Sequence, residues 1–228
     1  MLLFLVALAL FLLAHVIPAI PGLRARLVER LGRRRYVAIY SIISTVLLAF
    51  LVYATLRMDY VPLWDTAPWQ AWVTIILTPI GFFLLFAGLI SPNPMSISVR
   101  RGDLAPGAIV GITRHPVLWG FILWSGSHLV PNGDLRTVLL FGALFLFALL
   151  GIPLSERRAK KRLGADWPGI ASATSIVPLV AILQGRARLK SDIGIVLGLA
   201  VTIVLTAWLL VGGHVALFGA DPLALALA

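Results

Sequence analysis

Long apolar runs separated by short polar segments recur along the whole chain. We expect membrane spans near Met1–Pro18, Tyr36–Leu56, Ala71–Ile90, Pro116–Val130, Leu135–Leu154 and Ile193–Leu217. Inside lipid the backbone must satisfy its own hydrogen bonds, which restricts the spans to helices or to a closed barrel. Barrel strands alternate apolar and polar residues, and these runs do not. The pattern therefore predicts an all-α fold, a polytopic transmembrane helical bundle of about six spans.

The composition agrees with a membrane protein and narrows the available chemistry. Of the 228 residues, 60% are hydrophobic, and the mean hydropathy is +1.00, which excludes an ordinary soluble domain. The chain has no cysteine, which excludes disulfides and thiolate metal sites. There is no internal repeat. We expect residues 1–190 to form one transmembrane domain and residues 191–228 to add a C-terminal transmembrane helix.

Positive charge is confined to alternate loops. Apart from Arg57 and Arg136, every lysine and arginine falls in one of three segments: Arg24, Arg26, Arg30, Arg33, Arg34 and Arg35 after the first span; Arg100, Arg101 and Arg114 after the third; and Arg157, Arg158, Lys160, Lys161, Arg162, Arg186, Arg188 and Lys190 after the fifth. Basic loops stay cytoplasmic, so both termini are predicted to lie outside. This asymmetry explains the net charge of +10 without nucleic acid and favours anionic lipid headgroups as partners.

Two segments interrupt the regular pattern. The apolar stretch Leu104–Val130 is broken by Arg114-His115-Pro116, and Pro116 fits the first turn of a helix. The second segment is Thr174–Leu183, a short apolar piece inside a basic loop, which is typical of the membrane interface. We expect either that both segments roof a cavity on the cytoplasmic side or that both are ordinary surface segments.

The four histidines are the natural candidates for chemistry inside the membrane. On the predicted topology, His15 and His115 lie near the cytoplasmic side, whereas His128 and His214 share the outer side. His128 is too far along its helix from His115 for the two to ligate one ion, at roughly 1.5 Å per residue. Each imidazole also has a structural interpretation, in which a backbone carbonyl satisfies it. For His128 we expect that interpretation, through the turn that follows it.

Two neutral imidazoles from different helices, without cysteine or a carboxylate cluster, suit the iron of heme b better than zinc. His15 and His115 can ligate such an iron together if the first and fourth spans are neighbours, and His128 with His214 is the competing pair. Arg24, Arg26 and Arg114 are candidates for pairing with the propionates. Trp119 and Trp124 are candidates for packing against a planar ligand, with ordinary helix packing as the alternative. The role of Glu156 stays open between a surface ion pair and an anchor for a cofactor.

Several of these segments resemble the NnrU family of bacterial membrane proteins. The resemblance is carried by Arg114-His115-Pro116 through Gly120, by Trp124, and by Ser127-His128-Leu129 with Asn132-Gly133-Asp134. The stretch from Glu156 to Arg186, with Leu163-Gly164, Asp166-Trp167 and Thr174-Ser175-Ile176, is similar to plant 15-cis-zeta-carotene isomerases, which share the NnrU domain. The resemblance covers about residues 1–190.

The resemblance implies a multi-pass protein of the bacterial cytoplasmic (inner) membrane. NnrU proteins are associated with denitrification, through the production of nitrite and nitric oxide reductase activities. The related isomerases are heme b enzymes whose heme histidines correspond to His15 and His115. The resemblance therefore implies either a heme-dependent cis-trans isomerase acting on an apolar polyene, or a redox or sensing role in nitrogen-oxide respiration.

Two other classes stay open. The His115-Pro116 to Gly120 motif also resembles membrane methyltransferases of the isoprenylcysteine type, in which it helps to bind S-adenosylmethionine. Those enzymes carry paired glutamates where this chain has Glu156 followed by Arg157, which counts against methyl transfer. The third class is a non-enzymatic maturation factor for a respiratory reductase. Transport is disfavoured because repeats and paired mid-membrane charges are lacking.

Overall fold

The computed structural model describes residues 1–16, 20–100 and 105–228. The helices of this part are α1 (Leu2–Val16), α2 (Pro21–Leu31), α3 (Arg33–Leu56), α4 (Pro68–Ile90), α5 (Ile109–Ile112), α6 (Pro116–Leu129), α7 (Leu135–Leu163), α8 (Trp167–Ser172), α9 (Val180–Leu183), α10 (Ile193–Trp208), α11 (His214–Phe218) and α12 (Pro222–Leu227). A 3-10 turn separates α7 from α8, and a π-helical turn separates α10 from α11. Within the described residues no strand forms, so the all-α prediction is confirmed.

Among the described residues, four helices are long and apolar enough to cross a membrane: Arg33–Leu56, Pro68–Ile90, Leu135–Ser172 and Ile193–Phe218. The first predicted span corresponds to α1 and the fourth to α6. These helices have 15 and 14 residues and are too short to be counted among the four. The chain is thus a helical membrane protein, while the count of six spans and the outside termini stay predictions. The predicted end of the first span at Pro18, and Arg101 of the second basic segment, lie outside the described residues.

The chain divides into two compact units, and the first comprises Met1–Leu63 with Asp134–Leu140. In this unit α1 packs against α3. The buried residues of α1 are Phe4, Ala7 and Phe11, whose spacing of three and four residues places them on one helix face. The same spacing puts His15 next on that face, one turn beyond Phe11.

The second unit comprises Trp64–Gly133 and Phe141–Ala228, and α4 packs against α5, α6, α10 and α12 within it. Small residues allow the closest approach between α4 and α6. A Cβ atom added to Gly120 would lie 2.7 Å from the carbonyl oxygen of Gly81. Such glycine contacts let helix backbones touch in membrane proteins. The division of the chain at residue 190 stays a prediction.

The two irregular segments are joined by hydrogen bonds within the second unit. We call residues 174–185 the strap. The backbone N–H of Leu179 donates to the Ile112 carbonyl at 2.8 Å, and the indole N–H of Trp119 donates to the Ile176 carbonyl at 2.9 Å. Leu179 adopts a left-handed conformation with φ of 67°, at the turn that begins α9. The strap therefore lies against the entrance to α6, while its role as the roof of a cavity stays a prediction.

Candidate functional site

The site is centred on the turn that leads into α6. Pro116 begins the helix and disfavours helical geometry in the residue before it, and His115 accordingly has φ of −122° and ψ of 56°. The Arg114 backbone N–H donates to the Ser175 carbonyl at 2.9 Å, and the Thr113 hydroxyl donates to the Ile176 carbonyl at 2.6 Å. These bonds to the strap fix the backbone from which the Arg114 and His115 side chains project.

Asn93 holds a second segment, the loop after α4, against the same turn. Its side-chain oxygen accepts the backbone N–H groups of Met95 at 2.9 Å and Ser96 at 3.1 Å. Its amide nitrogen donates to the Arg114 carbonyl at 3.0 Å. Asn93 and Ser96 are fully buried, so the bonds replace water that these polar groups have lost. The result is a fixed position for the Ser96 hydroxyl beside His115.

The fully buried imidazole of His115 lies between a hydroxyl and a carboxylate. Its Nε2 is 2.7 Å from Oε1 of Glu156, and its Nδ1 is 3.0 Å from Oγ of Ser96. An ionised carboxylate only accepts hydrogen bonds, so Nε2 carries the proton and donates. In the neutral ring Nδ1 then accepts the Ser96 hydroxyl. Hence Ser96, His115 and Glu156 form one directional chain of hydrogen bonds.

Burial lowers the pKa of His115 below its ordinary value. The hydrogen bond and negative charge of Glu156 oppose this shift, whereas the positive charge of Arg114 adds to it. The net lowering keeps the imidazole neutral at pH 7. A neutral ring retains a lone pair on one nitrogen, which is the form that binds a metal.

Arg114 forms a paired contact with Glu156. Its Nη2 donates to Oε2 at 3.0 Å, and its Nε lies 3.0 Å from Oε1. Nη1 donates to the Ala171 carbonyl at 3.0 Å, and the guanidinium lies over the Trp167 ring at 5.6 Å. The two charged side chains are only 10% and 18% exposed. Arg114 therefore compensates the charge of Glu156 within the protein, because little water reaches either group.

Glu156 points inward because of its phase on α7. Ile152 and Ala159, one turn before and one turn after it, are buried, and the adjacent Arg157 and Arg158 are exposed. Positions three and four residues apart share a helix face. The carboxylate is thus carried into the site by the same face that packs the helix, and it is not a surface ion pair.

The first unit holds His15, whose ring is bonded in a similar way. Its Nδ1 donates to the Phe11 carbonyl at 2.7 Å, so Nε2 accepts the Ser44 hydroxyl at 3.1 Å. The ring packs against Phe11 at 4.3 Å between centroids and against Tyr40 at 5.9 Å. His15 therefore also presents one N–H to a fixed acceptor and one lone pair to a serine hydroxyl.

The remaining predicted site residues have separate surroundings. Arg24 is exposed on α2 of the first unit, and Trp119 contacts the strap in the second. His128 donates from Nδ1 to the Trp124 carbonyl at 2.7 Å, and its own carbonyl accepts the Asn132 amide at 2.7 Å. His214 donates to the Ala220 carbonyl at 2.7 Å. His128 and His214 thus have the backbone partners that a structural role requires.

Within the second unit the structure brings Arg114, His115 and Glu156 together; His15 and Arg24 belong to the first unit. Sequence reasoning missed Ser96 and Asn93. The segment Asn93-Pro94-Met95-Ser96 after a long apolar helix carries the signal of an asparagine turn, although not of its packing against His115. In the described part of the chain, no three potential ligands among histidine and the carboxylates gather as a metal site.

The helices and the buried polar site define a polytopic helical membrane protein, and comparison with known proteins identifies its family. A family model described as NnrU protein matches residues 3–222, so the chain belongs to the NnrU family. The chain is similar to 15-cis-zeta-carotene isomerase, chloroplastic, of Arabidopsis thaliana, with 33% identity over 116 residues. The isomerase of Zea mays is 27% identical over 114 residues. Each match covers 50% of this chain and 31% of the relative. No solved structure matches.

Proposed function

We propose that this chain is an NnrU protein of the bacterial cytoplasmic membrane that binds heme b and isomerises an apolar polyene. His15 and His115 are the residues proposed to hold the heme iron. The observation that supports the proposal most directly is the buried, neutral imidazole of His115 between Ser96 and Glu156. The relatives named as carotene isomerases supply the substrate class.

The hydrogen bonds of the two imidazole rings are of the kind expected for histidines that bind iron. Metal-binding histidines usually donate their second N–H to a carboxylate or a backbone carbonyl, which fixes the ring and raises its basicity. His115 donates to Glu156, and His15 donates to the Phe11 carbonyl. The other nitrogen of each ring faces the neutral hydroxyl of a serine, at 3.1 Å for His15 and 3.0 Å for His115. The donor set therefore fits heme iron.

The residues of the site would act by orientation and by exclusion of water. Heme b, when bound, would supply the redox chemistry of the site. Glu156 holds the ring of His115, and Arg114 neutralises the carboxylate without competing for Oγ of Ser96.

Absorbance of the purified protein tests the cofactor. We expect wild-type protein loaded with heme b to show a Soret band that shifts on reduction with dithionite. His15→Ala and His115→Ala should each lose bound heme, because one of the two histidines proposed to hold it is missing. His214→Ala is the matched control and should keep the full band, since its ring donates to the Ala220 carbonyl and is not one of the two proposed ligands.

Far-UV circular dichroism of each variant distinguishes loss of heme from loss of fold. A full Soret band in both His15→Ala and His115→Ala would show that the ligand assignment is wrong.

The substrate is tested with the same preparations and a cis-polyene in bicelles. Reduced, heme-loaded protein should convert it to the trans isomer, and heme-free protein should not.

Two alternatives have their own tests. If the protein is an S-adenosylmethionine-dependent methyltransferase, calorimetry should show saturable binding of that cofactor to heme-free protein. The contacts disfavour this reading, because the Glu156 carboxylate already bonds Arg114 and His115. If the protein instead serves denitrification, deleting its gene should reduce maturation of nitrite or nitric oxide reductase and leave polyenes unchanged.

We propose that the strap enters the lipid interface and that anionic headgroups bind the basic loops beside it. The strap exposes apolar side chains at Val177 (51%), Leu179 (46%) and Leu183 (82%), and Arg186 and Arg188 follow it. Apolar residues next to arginines are typical of an interfacial anchor. An apolar substrate would reach the site from the bilayer by this side.

Spin labelling can measure how deeply the strap enters the bilayer, because the chain has no native cysteine and a single one can be introduced. We expect a label at Leu183→Cys, in vesicles containing anionic lipid, to collide more often with oxygen than with a water-soluble nickel complex. A label at Lys190→Cys, an exposed charged position nearby, should show the opposite preference. Equal accessibility to the nickel complex at both positions would contradict insertion of the strap.

A further inference from the structure

We infer that residues 164–187 form a lid over the Arg114–Glu156 pair, and that the Arg114 guanidinium is the latch that holds this lid closed. The lid contains α8 and the strap, and the irregular segment 188–191 follows it. The inference deepens the proposed function by naming how an apolar molecule from the bilayer reaches the site. It rests on that function only for the identity of the molecule.

The lid is weakly anchored compared with the helix that it covers. Of residues 164–187, all of which the structure describes, only Thr174, Ser175 and Ala181 are buried, and two of these three are polar. On α6, by contrast, seven of the 14 residues are buried. Segments with few buried contacts open at a smaller cost in free energy than the core does. The lid is therefore able to open while the helices around it stay folded.

Hydrogen bonds inside the lid hold its second half together. The Ala181 N–H donates to Oγ of Ser175 at 3.0 Å, and Nη1 of Arg186 donates to the Thr174 carbonyl at 2.8 Å. The Arg186 N–H donates to the Ala181 carbonyl at 2.8 Å. Bonds within a segment are kept when the segment moves as a whole, so this part of the lid opens as one unit.

Backbone hydrogen bonds join the lid to the turn before α6. The Leu179 N–H donates to the Ile112 carbonyl at 2.8 Å, and the Arg114 N–H donates to the Ser175 carbonyl at 2.9 Å. Each is a bond between neutral groups, whose net contribution to stability is small because water replaces the lost partner. These two bonds align the lid with the turn and do not prevent it from opening.

The Arg114 side chain adds a charged contact to these neutral bonds. Its Nη1 donates to the Ala171 carbonyl at 3.0 Å and to the Thr174 hydroxyl at 3.4 Å, and the guanidinium lies over the Trp167 ring. Its Nε and Nη2 contact Glu156, which is on α7 outside the lid. Bonds from a charged donor are stronger than those between neutral groups. Opening therefore breaks the bonds of Nη1 and leaves the ion pair with Glu156 intact.

Arg114→Lys separates the latch from the charge. Lysine keeps a positive charge for Glu156, but its single ammonium cannot bond the carboxylate and the Ala171 carbonyl together as the planar guanidinium does. In heme-free protein we expect the Leu179 N–H to exchange for deuterium about tenfold faster than in wild type, the factor for the loss of one charge-assisted bond. The Trp119 N–H, which donates to the His115 carbonyl at 3.0 Å, is the internal reference and should not change.

Gly164→Ala is a second variant, placed at the junction of the lid with α7. Gly164 has φ of 53°, and an added Cβ would meet no atom within 4 Å. Alanine disfavours this left-handed conformation, so the variant should favour the open lid and speed exchange at Leu179. Gly169→Ala is the control, because an added Cβ on α8 also meets no atom within 4 Å and the backbone there is helical. It should not speed exchange.

Diethyl pyrocarbonate, which modifies neutral imidazoles, tests whether opening of the lid uncovers the site. In wild-type protein His115 is fully buried and should react slowly. We expect mass spectrometry to find His115 modified faster in heme-free Arg114→Lys than in wild type. His128, whose ring bonds the Trp124 carbonyl, is the reference and should react at the same rate in both.

Equal exchange rates for the Leu179 and Trp119 N–H groups in wild type would show that the lid opens only when the helices unfold. Unchanged exchange in both Arg114→Lys and Gly164→Ala would also overturn the inference, as would faster exchange without faster modification of His115. None of these results depends on heme. Failure of the proposed function is therefore a separate outcome, seen as the absence of a Soret band.

Discussion

Glu156→Ala is expected to lower the free energy of unfolding by about 3–5 kcal/mol, the range found when one partner of a buried ion pair is removed. The reason is that one carboxylate serves two buried groups, the Arg114 guanidinium and the His115 ring. Without it, Arg114 becomes a charge with little access to water, and the N–H on Nε2 of His115 loses its acceptor. Thermal or denaturant unfolding in detergent, followed by circular dichroism, measures the change.

Arg157→Ala provides the matched comparison, because this residue is next to Glu156 on α7 and its side chain is exposed. Removing an exposed charge away from special contacts changes stability by about 0.5 kcal/mol or less. Similar losses in the two variants would show that the carboxylate is not a structural centre of the site. Glu156→Gln should lie between them, since the amide keeps one acceptor.

The apolar pattern predicts most of the helices because lipid leaves the backbone few choices. The predicted span at Tyr36–Leu56 is observed as Arg33–Leu56, and the predicted helix start at Pro116 is observed at that residue. Proline at a first turn is a local signal that needs no tertiary information. The charge pattern, by contrast, predicts which loops face the cytoplasm. The positions of the termini that follow from it stay predictions.

The site was only partly predictable. Arg114 and His115 stand out in the sequence because they interrupt an apolar stretch, but Glu156 resembles a solvated charge in a basic segment. Its helix phase with Ile152 and Ala159 is the signal that places it inside. The contact of Ser96 with His115 depends on how the loop after α4 folds, and no periodicity in the sequence contains that information.

The close approach of α4 and α6 gives the second large expected effect. Gly120→Ala should destabilise the protein by about 1–3 kcal/mol, the usual cost of overpacking. The added methyl group would lie 2.7 Å from the Gly81 carbonyl oxygen and 2.9 Å from the Leu85 backbone nitrogen. These are backbone atoms that cannot rotate away, so the two helices must separate.

Gly142→Ala, on α7, is the control because an added Cβ there meets no atom within 4 Å. Alanine favours a helix over glycine by about 1 kcal/mol, so this variant should be neutral or slightly stabilised. The contrast isolates packing from helix propensity, since both changes are glycine to alanine within a helix. Because α6 begins beside His115, separation of the helices should also disturb the His115–Glu156 hydrogen bond. Unchanged unfolding and an unchanged His115 NMR spectrum in Gly120→Ala would show that α4 and α6 are not in this close contact.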